Sequence, residues 1–281
     1  MIRLSSLALT LFAAFTLGCG EKTKTVATTV ATASSVDGNN SSADKEKGDG
    51  KTQQDIPDGA RRIIEAYPDF QLSYSDNHIV FTDGTRIVYD DHREKSFLVM
   101  MDDCDVEDMF SMIYDKTAKQ PEYLADAGRG RCEQLFKKMY GNSEAEARRH
   151  LVRVEWFGQR LPFTNVNGAD RKLEEVAAEL EKYPELRKYF EQSSTFYWRT
   201  VRGAKRQSAH SYGIAIDICT KYSNYWQWSN RGAGEMDKIR YENKIPQKIV
   251  EIFEKHGFIW GGRWYHYDTM HFEYRPEFLI H

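Results

Sequence analysis

The apolar residues of this chain fall into short runs with two different periods. In residues 57–67, Ile63, Ile64 and Tyr67 recur at helical spacing and predict a short helix. Runs at 70–74 and 78–81 flank Ser75-Asp76-Asn77, a turn-forming set, and predict paired strands. Asp83-Gly84 marks a second turn before 86–89. Another apolar run covers 97–101. Residues 106–114 predict a helix with Asp105 as N-cap, and 132–140 predict one that Gly141 ends. Ser143 and Glu146 form a capping-box pattern, opening a helix whose buried side carries Leu151, Val154 and Trp156 or Phe157. Asp170 caps a helix with Leu173, Val176, Ala177 and Leu180, which Pro184 breaks or restarts. Near the end, 214–217 reads as a short buried strand. Pro246 opens a helix with Ile249, Ile252 and Phe253 as its buried stripe, and Gly257 ends it. Residues 271–274 read as a strand with His271 and Glu273 on one face. Helices mixed with short strands place the chain in the α+β class.

Two N-terminal stretches lack this patterning. Residues 1–18 carry Arg3 as their one charge, then an apolar run over 7–17. That run is too short to cross a bilayer comfortably and fits a secretory signal. Cys19 follows Leu17-Gly18, which resembles a bacterial lipoprotein cleavage site, although Thr16 stands where that pattern prefers Leu. Lipidation of Cys19 is the expectation; ordinary signal cleavage is the alternative. Residues 20–55 are Thr, Ala, Ser, Asn, Lys, Asp and Gly with hardly a large apolar side chain, and read as a disordered linker. The chain is therefore expected to be exported to the cell envelope or periplasm, held at a membrane by a lipid.

Net charge is -3 over 281 residues, which gives no nucleic-acid footprint. The cysteines number four, and in an exported protein disulfides are permitted. With Cys19 lipidated, Cys104 and Cys132, in the same region, are expected to pair. Cys219 is either a buried thiol or a further metal ligand.

Two segments carry candidate chemistry. One is Ser-Ala-His-Ser-Tyr-Gly-Ile-Ala-Ile-Asp, 208–217; the other is Asp-Thr-Met-His-Phe-Glu, 268–273. His210, Asp217 and His271 make a three-ligand set that suits zinc and leaves a fourth position for water. In one straight strand, His210 and Asp217 would stand more than roughly 20 Å apart. Both reach one ion only if the chain turns, and Gly213 permits the turn. Asp268 must sit in a bend beside the metal, where a carboxylate that is not a ligand can accept the proton of an activated water. A Cys219 ligand would fill the position that water needs.

These segments resemble the VanY-type zinc D-alanyl-D-alanine carboxypeptidases and related peptidoglycan peptidases. The likeness is densest from Thr195 to Phe278. It includes Phe-Tyr-Trp-Arg (196–199) and Trp-Gly-Gly-Arg-Trp-Tyr-His-Tyr-Asp (260–268). It implies a hedgehog/D-Ala-D-Ala peptidase-like domain, a small antiparallel sheet flanked by helices, over 191–281. Residues 56–190 are then an N-terminal α+β companion region. There, Asp-Val-Glu-Asp-Met-Phe (105–110) and the 128–141 stretch are similar to segments that accompany such peptidases. The resemblance implies zinc as cofactor, His210, Asp217 and His271 as ligands, Asp268 as general base and a peptidoglycan stem peptide as substrate. It makes Arg199 the candidate for holding the substrate carboxylate or oxyanion, with Arg202 the runner-up. Ser208 either donates to substrate or stabilises the turn, and His266 orients Asp268 or touches substrate. Residues 222–228 form either a core lid or a groove wall. The alternative function is a catalytically silent zinc-binding scaffold or peptidoglycan-binding module of the envelope.

Overall fold

The computed structural model describes residues 56–280. The signal segment with Cys19, and the linker as far as 55, lie outside the described residues. Helices are α1 (Asp58–Ala66), α2 (Phe97–Asp102), α3 (Glu133–Tyr140), α4 (Glu144–Arg149), α5 (Ala169–Leu180), α6 (Trp226–Ser229) and α7 (Gln247–Lys255). Strands are β1 (Ser73–Ser75), β2 (His78–Val80), β3 (Arg86–Val88), β4 (Leu151–Trp156), β5 (Gln159–Thr164), β6 (Ala215–Asp217), β7 (Phe258–Trp260) and β8 (His271–Tyr274). The strands form three small antiparallel sheets, β1-β2-β3, β4-β5 and β6-β8-β7, and the class is α+β.

Three sequence expectations need correction. The capped segment opened by Ser143 ends at Arg149, and Leu151 begins a strand, not another helical turn. Leu151, Val152, Val154 and Trp156 belong to a hairpin in which Trp156 pairs with Gln159. Phe157 and Gly158 both have positive φ, 46° and 83°, as a tight hairpin turn requires. Residues 106–114 supply only a single turn, Asp108–Phe110. There the Ser111 hydroxyl donates to the Asp108 carbonyl, competing with the backbone donor that would continue a helix. The disulfide is not formed. Cys104 and Cys132 are free thiols; the Cys104 thiol donates to the Asp105 carbonyl at 3.3 Å, and Cys132 stands at the N-cap of α3.

The third sheet carries the candidate site. Its central strand, β8, places Phe272 against Phe253 of α7, the two rings stacked 3.9 Å apart. One hydrophobic cluster runs from Ile63 of α1 and Leu135 of α3 through Trp156 and Leu173 to Ile216 and Phe272. The residues before 190 and those after it thus share a core.

Candidate metal centre and active site

Antiparallel pairing sets Asp217 directly opposite His271. Adjacent strands lie about 4.8 Å apart, so the two side chains on one face must meet. His210 arrives from the turn Ala209–Tyr212, which Gly213 ends at φ 70°. A β-carbon at Gly213 would lie 2.6 Å from Leu151 Cδ2 and 3.3 Å from the Thr164 nitrogen, so the turn needs glycine for conformation and for space.

The three side chains converge. His210 Nε2 is 3.2 Å from His271 Nδ1 and 3.2 Å from Asp217 Oδ1, and the last two atoms are 2.9 Å apart. A tetrahedral zinc with bonds of about 2.0–2.1 Å separates its ligands by roughly 3.3 Å. Two imidazole nitrogens and one carboxylate oxygen in this triangle fit that ion. The outer ring nitrogens are also placed for it: His210 Nδ1 faces the Thr195 carbonyl, and His271 Nε2 lies 2.8 Å from Glu273 Oε1. Each outer N–H donates outward, which turns the other nitrogen's lone pair inward. Cys219 is buried and does not belong to this donor group.

Charge in the cluster is tightly coupled. Burial alone would push His271 down, but its bonds to Asp217 and Glu273 hold it up at about 10. Burial would raise Asp217, yet His210 and His271 keep its carboxyl far below the usual range. Glu273 is held at about 2 against the cost of burial, by Arg131 and by its bond to His271. Asp268 goes the other way: burial and the Asp217 charge raise it to about 7. Its Oδ1 is buried with no hydrogen-bond partner. Its position is fixed from the main chain, where Asp268 N donates to Gly261 O at 3.0 Å. A β-carbon on Gly261 would stand 2.6 Å from the Asp268 carbonyl oxygen, so this bend also depends on glycine.

One consequence is proton release. Metal-free His271 is protonated near neutrality and must lose that proton to bind a cation. Calorimetric zinc titration at pH 7, in buffers of different ionisation heat, is expected to show one to two protons leaving: the His271 proton and a fraction from Asp268. Affinity is expected to rise with pH until about 10. Binding without proton release would mean that His271 is neutral beforehand.

Around the triangle lies a cavity of 390 Å³ that also contains Asp268, Ser208, Arg199, Arg202, His266 and the rings of Tyr225, Trp226, Trp228 and Trp264. Every site residue read from the C-terminal segments therefore lines one cavity. Arg199 and Arg202 are exposed at its rim. Ser208 is buried, and its main chain takes part in the turn: Ser208 N donates to Arg199 O, and Ser208 O accepts from Ser211 N. His266 does not hydrogen-bond Asp268. Its ring nitrogens face Asp126 Oδ2 and the Glu235 carbonyl, which corrects the expectation that it orients the base.

Sequence reasoning missed the contribution of residues 126–131. Arg129 and Arg131 line the same cavity. Arg131 bonds Glu273 at 3.1 Å, and Arg129 holds Asp126 and Glu235. Besides the likeness of 128–141 to companion segments of such peptidases, the signal is the Gly-Arg-Gly-Arg spacing, which puts two cations on one face of an extended segment.

Residues 202–274 match the family model described as D-alanyl-D-alanine carboxypeptidase. The match supports a likeness to the VanY-type family over this segment. The match encloses the whole donor triangle and Asp268, and it bears out the resemblance seen in the two motifs. No curated protein and no solved structure matches the chain.

Proposed function

We propose that this protein is a zinc-dependent peptidase that hydrolyses peptidoglycan stem peptides in the manner of a D-alanyl-D-alanine carboxypeptidase. The observation that carries the reading is the unpartnered Asp268 Oδ1 beside a three-donor triangle, inside the segment that matches the carboxypeptidase family. His210, Asp217 and His271 would hold the ion. When bound, zinc supplies Lewis acidity that activates water near neutral pH. Asp268 takes the proton of the attacking water and passes it to the departing amine. Arg199, with Arg202 beside it at the rim, offers positive charge to the oxyanion. Tyr225, Trp226, Trp228 and Trp264 wall the cleft.

The reading includes a hedgehog/D-Ala-D-Ala peptidase-like fold, export to the envelope and a lipid on Cys19 that keeps the enzyme near its polymer. The silent-scaffold alternative drew its support from a Cys219 ligand, and among the described residues the donor triangle does without it.

Incubation with purified muropeptides, with and without a chelator, tests the proposal. Mass spectrometry is expected to show loss of a terminal residue that the chelator stops and added zinc restores. An unchanged muropeptide pool under both conditions would remove the peptidase reading.

A further inference from the structure

The arginines of the cavity are not equivalent. Arg131 is neutralised by Glu273, and Arg206 by Asp102 at 2.6 Å. Arg199 and Arg202 stand in solvent, where an ion pair is screened and weak. Arg129 differs from all of them. Its side chain is only 12% exposed, yet the residue lines the cavity. It grips a carboxylate through two parallel bonds, Nη1 to Glu235 Oε2 at 2.7 Å and Nη2 to Glu235 Oε1 at 2.8 Å. This fork-to-fork geometry is the strongest mode of carboxylate recognition available to a side chain.

The two partners are held differently. Arg129 is anchored from behind, its Nη1 2.9 Å from Asp126 Oδ2. Asp126 is itself fixed by the His266 main-chain N–H and the His266 ring. Glu235 lies between Gly234 and Met236 in an irregular stretch, and its side chain is 36% exposed. Its carbonyl is fixed by the His266 ring, so a side-chain rotation alone moves the carboxylate off Arg129 while the backbone stays.

We infer that Arg129 is the receptor for a substrate carboxylate, and that Glu235 is an internal placeholder which the incoming carboxylate displaces. The inference rests on the peptidase reading for the nature of the substrate. It adds a specificity residue from outside the matched 202–274 segment. Displacement exchanges one carboxylate for another in the same fork, so the buried cation is never left unpaired. It also sets selectivity, because a ligand with an amide in that position cannot replace Glu235 at equal strength. The carboxylate can come from the peptide's C-terminus or from a side chain of the stem.

The test measures binding in the zinc-loaded Asp268→Asn background, so that the probe is not consumed. The probes are N-acyl-D-alanyl-D-alanine as free acid and as C-terminal amide, and a C-terminally amidated stem peptide whose side-chain carboxylate is free. Glu235→Gln is expected to tighten the free-acid probe about tenfold and leave the amide unchanged. Arg129→Lys keeps the charge but loses the fork, and is expected to weaken the acid about tenfold. A tenfold gain seen instead with the side-chain carboxylate assigns the subsite to the stem. Equal shifts for acid and amide, or none, overturn the inference. If Arg129→Lys melts early, the half-exposed Glu235→Gln variant decides alone. Hydrolysis by the unmodified enzyme is scored separately. Cleavage with a flat Glu235→Gln response sinks the inference and spares the peptidase reading; an acid-selective response without cleavage does the reverse.

Discussion

Asp268→Asn is expected to lower kcat on a cleaved muropeptide about a thousandfold, while the purified variant keeps one zinc per chain. Asparagine has the shape of aspartate and cannot take a proton. Asp268 is outside the donor triangle, so the ion does not depend on it. In the proposed mechanism its free Oδ1 accepts the proton of the attacking water. The pH dependence follows from the same carboxyl. It acts as a base only when ionised, so kcat/KM should rise with pH as the proton leaves. Without metal that occurs near 7, because burial and Asp217 disfavour the charge. A bound cation favours the carboxylate, so the acid limb of the active enzyme should lie below 7. Elemental analysis and a pH–rate profile check both parts. A variant that loses its zinc would make Asp268 a ligand, and one that keeps full turnover would place the base elsewhere.

The second large effect concerns stability. Arg275→Met is expected to destabilise the fold by about 3–5 kcal/mol at pH 7. Arg275 is fully buried between two carboxylates, bonding Glu277 through Nε and Glu273 Oε2 at 3.3 Å. Glu277 in turn accepts from the Tyr67 hydroxyl at 2.7 Å, and Glu273 accepts from His271. Methionine fills much of the space but leaves two buried anions short of their cation. The sign of the pH dependence follows from Glu273, which Arg131 and His271, with a smaller share from Arg275, hold at about 2 against the cost of burial. Its contribution is complete above the unfolded value of roughly 4.3 and fades as pH falls toward 2. The penalty should therefore be full at pH 7 and smaller at pH 3. Urea unfolding at the two pH values measures it; a change under about 1 kcal/mol at pH 7 would mean that Arg131 suffices for Glu273 and the Tyr67 hydroxyl for Glu277.

The donor triangle was legible because its chemistry is written in two short segments, and because Asp217 and His271 become neighbours by simple strand pairing. The turn at Gly213 and the bend at Asp268 followed from reach alone. What stayed hidden was whatever the tertiary fold recruits from afar. Arg129, Arg131 and Asp126 precede the site by many residues, and no local period marks a cation as facing a cavity or a surface. The hairpin of β4 and β5 was misread for a different reason. A genuine capping signal at Ser143 starts a helix and hides its end, although β-branched Val152 and Val154 alternating with Arg153 and Glu155 favour a strand.

The buried run from His271 through Glu273, Arg275 and Glu277 to Tyr67 has a practical meaning for anyone trimming the gene. The carboxypeptidase-like stretch is not a portable cassette. Cut out as 202–274, it would carry Glu273 without Arg131 or Arg275, and the imidazole at its centre would lose the scaffold that aims it. The smallest transplantable piece reaches back to the first helix.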